Sequence, residues 1–411
     1  MSENQPVTLA KPRLQFIDMA RSIAIIMMLE GHFTGAALSF EYRKDDFLAY
    51  RIWHNIHGLT SPLFFTVTGL VFVYLLCKEK NTPFLKSERV SKGFNRVRML
   101  LFWGYFIQFN ISVFFIDLYY GFRSVFNGWG WNFTFHFEWL QAFHVLQSIG
   151  IGILLLLLIY GVRYLIGKGE MHWYYLVGSL LIFIAYANLK NFIQLDEERL
   201  ANIADSKPAY WPSGFPLFIQ NMFYGQYSDF SILRYSGYVL LGGMLGSIIR
   251  KYEDKTRENW FGIMFIFVGG ILIGLSQLTF VQIDNFVESI GLTKHGVFEL
   301  NATSFIRFGQ VVSLLGVLML IDGNFKIKAP LFLKLGQNTL PIYIVHVILL
   351  YGGILGFGLK PLAFNSDLGP WSSITVSLLA IAFFVVMIYF IEPLEIFYNK
   401  QLNQIKFRKK S

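Results

Sequence analysis

"DMARSIAIIMMLEGHF", residues 18–33, is an apolar stretch long enough to begin a membrane-spanning helix, yet it carries four ionisable side chains. These are Asp18, Arg21, Glu30 and His32. A charged or titratable group at membrane depth is costly in hydrocarbon, so it faces a protein interior or a water-filled cavity. The stretch therefore predicts a helix that is surrounded by other helices and borders a polar space.

The composition of the whole chain agrees with a membrane protein. Its 411 residues are 54% hydrophobic and 18% aromatic, and only 15% are charged. A soluble protein of this length needs a larger share of polar surface. We therefore expect an all-α polytopic integral membrane protein.

Hydropathy predicts about ten transmembrane helices in one bundle. They form a transmembrane domain over residues 16–395, between an N-terminal tail at 1–15 and a basic C-terminal tail at 396–411. The predicted helices cover residues 16–38, 58–77, 99–118, 140–161, 172–189, 234–250, 260–281, 303–321, 331–355 and 372–395.

The basic residues predict the orientation of this bundle. If the N-terminus is cytoplasmic, 24 of the 35 Lys and Arg residues fall on cytoplasmic segments. This bias follows the positive-inside rule and predicts that both termini are cytoplasmic. The net charge of +9 then reflects topology, and no nucleic-acid partner is expected.

Helical spacing places three of the ionisable residues of the first helix on one face. Arg21 and His32 are eleven residues apart, which separates them by about 16 Å along the axis. Asp18 shares their face, whereas Glu30 lies on the opposite one. Two interpretations stay open: an interfacial Asp18–Arg21 ion pair with His32 hydrogen-bonded in the core, or a functional site.

The same region resembles a known family. "RLQFIDMARSIAIIMMLEGHF", residues 13–33, is similar to the opening of the transmembrane acyltransferase superfamily, in which ten residues separate an Arg from a His. The surrounding residues look most like the heparan-α-glucosaminide N-acetyltransferase catalytic-domain branch. "SPLFFTVTGLVFVYL", "FHVLQSIGIGIL" and "LGQNTLPIYIVHVILL" fit in the expected order. Ser22 departs from the family, which commonly has Gly after the Arg.

The resemblance implies acyl transfer from acyl-CoA, with acetyl-CoA expected, to a hydroxyl or amine of an envelope saccharide or glycolipid on the far side. His32 matches the catalytic His of the family and is predicted as general base, with a covalent acyl-histidine left open. Arg21 binds anionic groups of CoA or orients the site through Asp18. Acyl-CoA is a co-substrate, and no tightly bound cofactor is expected.

Several further residues are candidates for binding acyl-CoA or the acceptor. Four of them also have a structural interpretation. His54 and His57 in "IWHNIHG" suit an amphipathic surface, His144 in "FHVLQSIG" suits a core hydrogen bond, and Arg307 in "TSFIRFGQ" suits snorkelling to the interface. No metal site is predicted, because further ligands are lacking. For His346 in "YIVHVIL" we favour core hydrogen bonding over a site role. The candidates are Glu30, His54, His57, His144, Arg307 and Gln310.

Two loops have compositions that suit the expected substrates. The tryptophans of "NGWGWNFTFHFEW", Trp129, Trp131 and Trp139, suit stacking on a sugar ring or an interfacial aromatic belt. "KSERVSKGFNRVR" suits CoA phosphates, and is also typical of any cytoplasmic loop.

The main alternative is a proton- or anion-coupled transporter, since buried charges also build ion pathways. Against it, the sequence contains no evident pair of Gly- or Pro-broken helices at corresponding positions. We expect a bacterial cytoplasmic membrane, although the lysosomal membrane is where the namesake of the branch works.

Overall fold

The computed structural model describes residues 14–44, 46–78, 83–126, 138–200, 211–212, 214–225, 230–291, 298–325 and 327–408. Every longer regular element in these residues is a helix, as expected from the sequence. The α-helices are α1 Gln15–Ala37, α2 Leu48–His57, α3 Thr60–Leu76, α4 Glu88–Phe106, α5 Ile111–Phe126, α6 Glu138–Gln141, α7 Val145–Ile166, α8 Met171–Leu200, α9 Leu217–Phe223, α10 Ile232–Lys251, α11 Asn259–Ser289, α12 Ala302–Asn324, α13 Pro330–Gln337, α14 Thr339–Tyr351 and α15 Pro370–Arg408.

Seven helical segments of the described chain are long and apolar enough to cross a membrane, and two bent helix pairs raise the number to at most nine. Each predicted span falls on one of these segments, on a bent pair or on α1. The predicted count of about ten is larger because α1 is not among the candidates. Its charged and polar residues lower its hydropathy.

Two of the predicted spans are broken, which the sequence analysis did not foresee. The third is α4 followed by α5, with a bend of 57°, and the ninth is α13 followed by α14, with a bend of 77°. Pro341 lies in the first turn of α14, where its ring prevents the helix from continuing back through Asn338. At the other bend, Asn110 Oδ1 accepts the Val113 N–H at 3.0 Å and begins α5 anew. Each of these two predicted spans therefore consists of two helices that meet at a bend.

The helix α1 lies at the centre of the bundle. It packs against α2, α3, α12, α13, α14 and α15, and most of its residues are buried. Its first turn is held by Asp322 of α12, whose Oδ2 accepts the Phe16 N–H at 3.2 Å. This carboxylate satisfies one of the backbone donors that a helix N-terminus leaves unpaired. The polar residues of α1 are therefore surrounded by protein.

The helices α3 and α10 cross in close backbone contact. A Cβ atom on Gly69 would lie 1.9 Å from the Val239 carbonyl oxygen, and one on Gly242 would lie 1.9 Å from the Thr66 carbonyl oxygen. Small residues at such crossings let membrane helices approach closely, and dispersion then stabilises the pair. This contact fixes α3, which lines two of the cavities described below.

We expect Gly242→Ala to destabilise the protein by roughly 1–3 kcal/mol, because the added methyl group forces two backbones apart. The measurement is the melting temperature of the protein purified in detergent. Gly270→Ala on α11 is the matched control, because a Cβ atom there meets nothing within 4 Å. Equal melting temperatures for the two variants would contradict the close α3–α10 contact.

Candidate functional site

Three cavities lie along α1. The first, here called the arginine cavity, has a volume of about 530 Å³. Four basic side chains line it together with apolar residues of α3: Arg21 from α1, and Arg89, Lys92 and Arg96 from α4. Such a concentration of cations in a cleft favours an anionic ligand.

The second cavity, the histidine cavity, has a volume of about 520 Å³. Three histidines from different parts of the chain line it: His32 of α1, His144 just before α7 and His346 of α14. Tyr343 and Tyr351 of α14 border the same space. Hydroxyl, amide and imidazole groups around an apolar cleft are typical of a site that binds a small polar ligand.

A third, smaller space, the linking cavity, lies between the other two and has a volume of about 140 Å³. It shares Phe64 with the arginine cavity, and it shares His32, Val145, Phe230 and Tyr343 with the histidine cavity. The three cavities thus form one series, in which Phe64 separates the arginine cavity from the rest. Arg21 lies in the arginine cavity, and His32, about 16 Å away along α1, lies where the linking cavity meets the histidine cavity.

The two helix breaks border this series of cavities. Residues 107, 108 and 110, at the α4–α5 bend, line the histidine cavity. Gln337 and Thr339, on either side of the α13–α14 break, line the arginine cavity. Irregular backbone at membrane depth is tolerated where it is buried in protein or lines a water-filled cavity. The breaks therefore place polar side chains at the cavity walls.

The surroundings of His32 are set mainly by α14. Its Nδ1 lies 2.8 Å from the Tyr351 hydroxyl oxygen, and its ring centroid lies 5.2 Å from that of His346. When Nδ1–H donates to the tyrosine oxygen, Nε2 keeps its lone pair and can accept a proton. The hydrogen bond also fixes the orientation of the ring.

Arg21 and Asp18 lie as the helical spacing predicts, on one face near the start of α1. Arg21 Nη1 is 3.8 Å from Asp18 Oδ1, and Gln337 Nε2 donates to Asp18 Oδ2 at 3.4 Å. Asp18 is buried behind Arg21, and the Arg21 side chain reaches the cavity. The Asp18 carboxylate, which does not line the cavity, thus helps to orient the Arg21 guanidinium.

Ser22, where the resembling family commonly has Gly, joins α1 to the break before α14. Its hydroxyl donates to the Phe332 carbonyl at 2.5 Å or the Asp18 carbonyl at 2.9 Å, and it accepts the Gly336 N–H at 2.9 Å. Ser22 is fully buried. The serine therefore helps to position α13, and with it Gln337 at the wall of the arginine cavity.

His57 and Glu30 occupy one cluster beside the linking cavity. The His57 ring lines this cavity and stacks on Trp53, with centroids 5.3 Å apart. Glu30 Oε1 accepts the Trp53 Nε1–H at 2.7 Å and the Thr34 hydroxyl at 3.0 Å. A Cβ atom on Gly31 would lie 1.8 Å from the His57 ring, so glycine is needed there. Glu30 therefore holds Trp53 where its ring stacks on His57.

The remaining candidates divide between the cavity wall and the outer packing. The His144 backbone N–H donates to Gln147 Oε1 at 3.2 Å, which closes the start of α7 at the histidine cavity. His54 is exposed and stacks on Tyr50. Arg307 Nη1 donates to the Asn55 carbonyl at 2.7 Å and to Gln310 Oε1 at 3.1 Å. The Arg307–Asn55 hydrogen bond anchors the last turn of α2 to α12. Neither His54, Arg307 nor Gln310 lines any of the three cavities of the described chain.

Some residues of the site were not predicted from the sequence, and one prediction concerns residues outside the described part of the chain. His346 is 1% exposed and lines the histidine cavity, although the sequence favours core hydrogen bonding for it. A single polar residue in "YIVHVIL" was the available signal. Tyr351 and Phe64 gave none. Trp129, Trp131 and the side chain of Trp139 fall outside the described residues, so their stacking role stays a prediction.

We expect Ser22→Ala to lower stability by roughly 1–3 kcal/mol, because it leaves the buried Gly336 N–H without its acceptor. Thermal unfolding in detergent measures this loss. Ser91→Ala, on an exposed position of α4, is the matched control and should leave the melting temperature unchanged. An unchanged melting temperature for Ser22→Ala would argue against the bridging role of its hydroxyl.

The chain matches a known protein family. A family model described as an acyltransferase domain matches residues 14–391, which is nearly the whole chain and includes every residue that lines the three cavities. A search of curated proteins found no match.

Proposed function

The chain belongs to the acyltransferase domain family, and on that premise we propose that it moves an acyl group from acyl-CoA to a hydroxyl or amine of an envelope saccharide or glycolipid. The observation that carries this proposal is the series of cavities along α1, with a basic end at Arg21 and a histidine-lined end at His32. A charged donor and a polar acceptor can approach each other from opposite ends of such a series. The saccharide class rests on the resemblance to the heparan-α-glucosaminide N-acetyltransferase branch, and acetyl is the expected acyl group.

The arginine cavity is the proposed donor site. Arg21, Arg89, Lys92 and Arg96 line it, and guanidinium groups bind phosphate oxygens in bidentate, charge-assisted hydrogen bonds. Its volume falls in the usual range for small-molecule sites. Because acyl-CoA is cytoplasmic, this assignment orients the arginine cavity toward the cytoplasm. The basic stretch between Lys78 and Arg98 is cytoplasmic in the same orientation.

The histidine cavity is the proposed acceptor site. Gln108, Asn110, Gln147 and His144 border it and offer donors and acceptors for sugar hydroxyls. The resulting orientation opens this cavity toward the far side of the membrane, where envelope saccharides are found. A bacterial cytoplasmic membrane is the simplest location for such a reaction.

His32 is the proposed general base. Its Nε2 takes the proton of the attacking hydroxyl or amine while the nucleophile bonds to the thioester carbonyl carbon. The C–S bond then breaks, and the proton on Nε2 passes to the departing thiolate of CoA. Tyr351, which touches Nδ1, is a positioning residue that keeps Nε2 directed at the substrates. Arg21, held by Asp18, neutralises anionic groups of the donor.

CoA binding tests the donor site without knowledge of the acceptor. A ligand that binds the native state stabilises it by about 2.7 kcal/mol at a hundredfold excess over Kd, so CoA and acetyl-CoA should raise the melting temperature saturably. Arg21→Ala or Arg96→Ala should weaken binding about ten- to hundredfold, through the loss of a charge-assisted hydrogen bond. Arg257→Ala is the control, since Arg257 is exposed on another predicted cytoplasmic segment and lies outside the cavity.

If no CoA species raises the melting temperature of the well-folded wild type, the donor site is refuted. Solute flux through proteoliposomes without any acyl-CoA would then favour the transporter alternative. If Arg257→Ala weakens binding as much as Arg96→Ala, the effect is a general loss of surface charge.

The role of His32 is tested by transfer of label from radiolabelled acetyl-CoA into the saccharide and lipid fractions of membranes that contain the protein. We expect His32→Ala to lower the rate about a hundredfold or more, while CoA still stabilises the variant. Tyr351→Phe should lower kcat up to about tenfold and leave KM for acetyl-CoA unchanged. His54→Ala, an exposed histidine outside the cavities, is the control. Normal transfer by His32→Ala would exclude it as the base.

A further inference from the structure

The linking cavity is small and closed by large side chains on the side where the donor would enter. Its volume is about 140 Å³, roughly a quarter of that of either neighbouring cavity. Met28, Phe64, Phe65, Val145 and Phe230 form its apolar walls. A thioester that reaches from the arginine cavity to His32 must pass its acyl end through this space first.

The two neighbouring phenylalanines of α3 play different parts in these walls. Phe65 is 1% exposed and packs against Phe230 and Tyr235, with ring centroids 6.0 and 4.9 Å away. It is therefore a fixed wall. Phe64 is half-buried and borders two cavities at once. Its ring thus has open space on both sides, and it forms the partition between the arginine cavity and His32.

The volume of the linking cavity limits what fits beside His32. An apolar protein cavity of about 150 Å³ holds one benzene molecule, so a space of this size accepts an acetyl, propionyl or butyryl group. A longer chain would have to push Phe64 or the fixed Phe65–Phe230 wall outward, and dense packing makes such shifts costly.

We propose that Phe64 is the residue that determines acyl-chain length: its ring closes the linking cavity around a short acyl group and excludes longer ones. This inference rests on the proposed acyl transfer, and it adds the class of donor, a short-chain acyl-CoA. The acyl carbonyl lies beside His32 while the pantetheine chain extends past Phe64 into the arginine cavity. One methylene too many in an apolar pocket costs roughly tenfold or more in rate.

The test compares transfer rates with acetyl-, butyryl-, hexanoyl- and octanoyl-CoA, in the membrane assay described above. The wild type should use acetyl- and butyryl-CoA and lose at least about tenfold with hexanoyl-CoA. Phe64→Ala should raise the hexanoyl-to-acetyl ratio of rates about tenfold, and Phe64→Leu should raise it by less. Phe64→Leu also serves if the alanine variant does not fold. Phe72→Ala is the matched control, since Phe72 lines the arginine cavity on the same helix but not the linking cavity.

The outcomes separate this inference from the proposed function. If acetyl transfer occurs but Phe64 variants keep the wild-type chain-length profile, the role of Phe64 is overturned and acyl transfer stands. A shift of the profile in Phe72→Ala as large as in Phe64→Ala would also overturn it, because the partition would then not be specific. If the wild type neither transfers acyl groups nor is stabilised by CoA, both proposals fall. A saturable rise in melting temperature with free CoA, measured against each variant's own ligand-free value, verifies that each variant is folded.

Discussion

The cost of polar groups at membrane depth is the constraint on which the structure depends. The helix α1 carries Asp18, Arg21, Glu30 and His32, and a helix with such residues is stable in a bilayer only if protein or water surrounds it. The bundle meets this requirement by packing six other helices around α1. The polar residues then face either a partner side chain or a cavity. The site follows from this arrangement, because two of the residues that exclude α1 from lipid, Arg21 and His32, line the cavities.

The helix breaks serve the same constraint from the opposite side. The breaks bring polar residues such as Asn110 and Gln337 to the cavity walls. Such breaks are stable at membrane depth because they border cavities. Broken helices are also found in transporters, so their presence alone does not separate transport from transfer. Membership in the acyltransferase domain family favours transfer.

The proposed reaction needs two compartments that communicate without merging. The arginine cavity is basic and the histidine cavity contains the imidazoles, with Phe64 between them. In the proposed reaction, this apolar partition keeps water from the thioester. The side chain that separates the two cavities is then also the one proposed to select the acyl group. The tight glycine contact of α3 with α10 holds the helix that carries it.

The membrane class, the helical segments and the polar face that Arg21 and His32 share could all be predicted from the amino-acid sequence. These follow from composition and from the fixed geometry of a helix, which are local properties. Three contacts could be seen only in the folded chain. Tyr351 touches His32 across 319 residues of sequence, and Ser22 bonds to Gly336. Phe64 lies between two cavities. Helical periodicity specifies which residues share a face of one helix. It carries no information on which other helix meets that face, because helix packing depends on the combined shapes of all the surfaces that must be buried together.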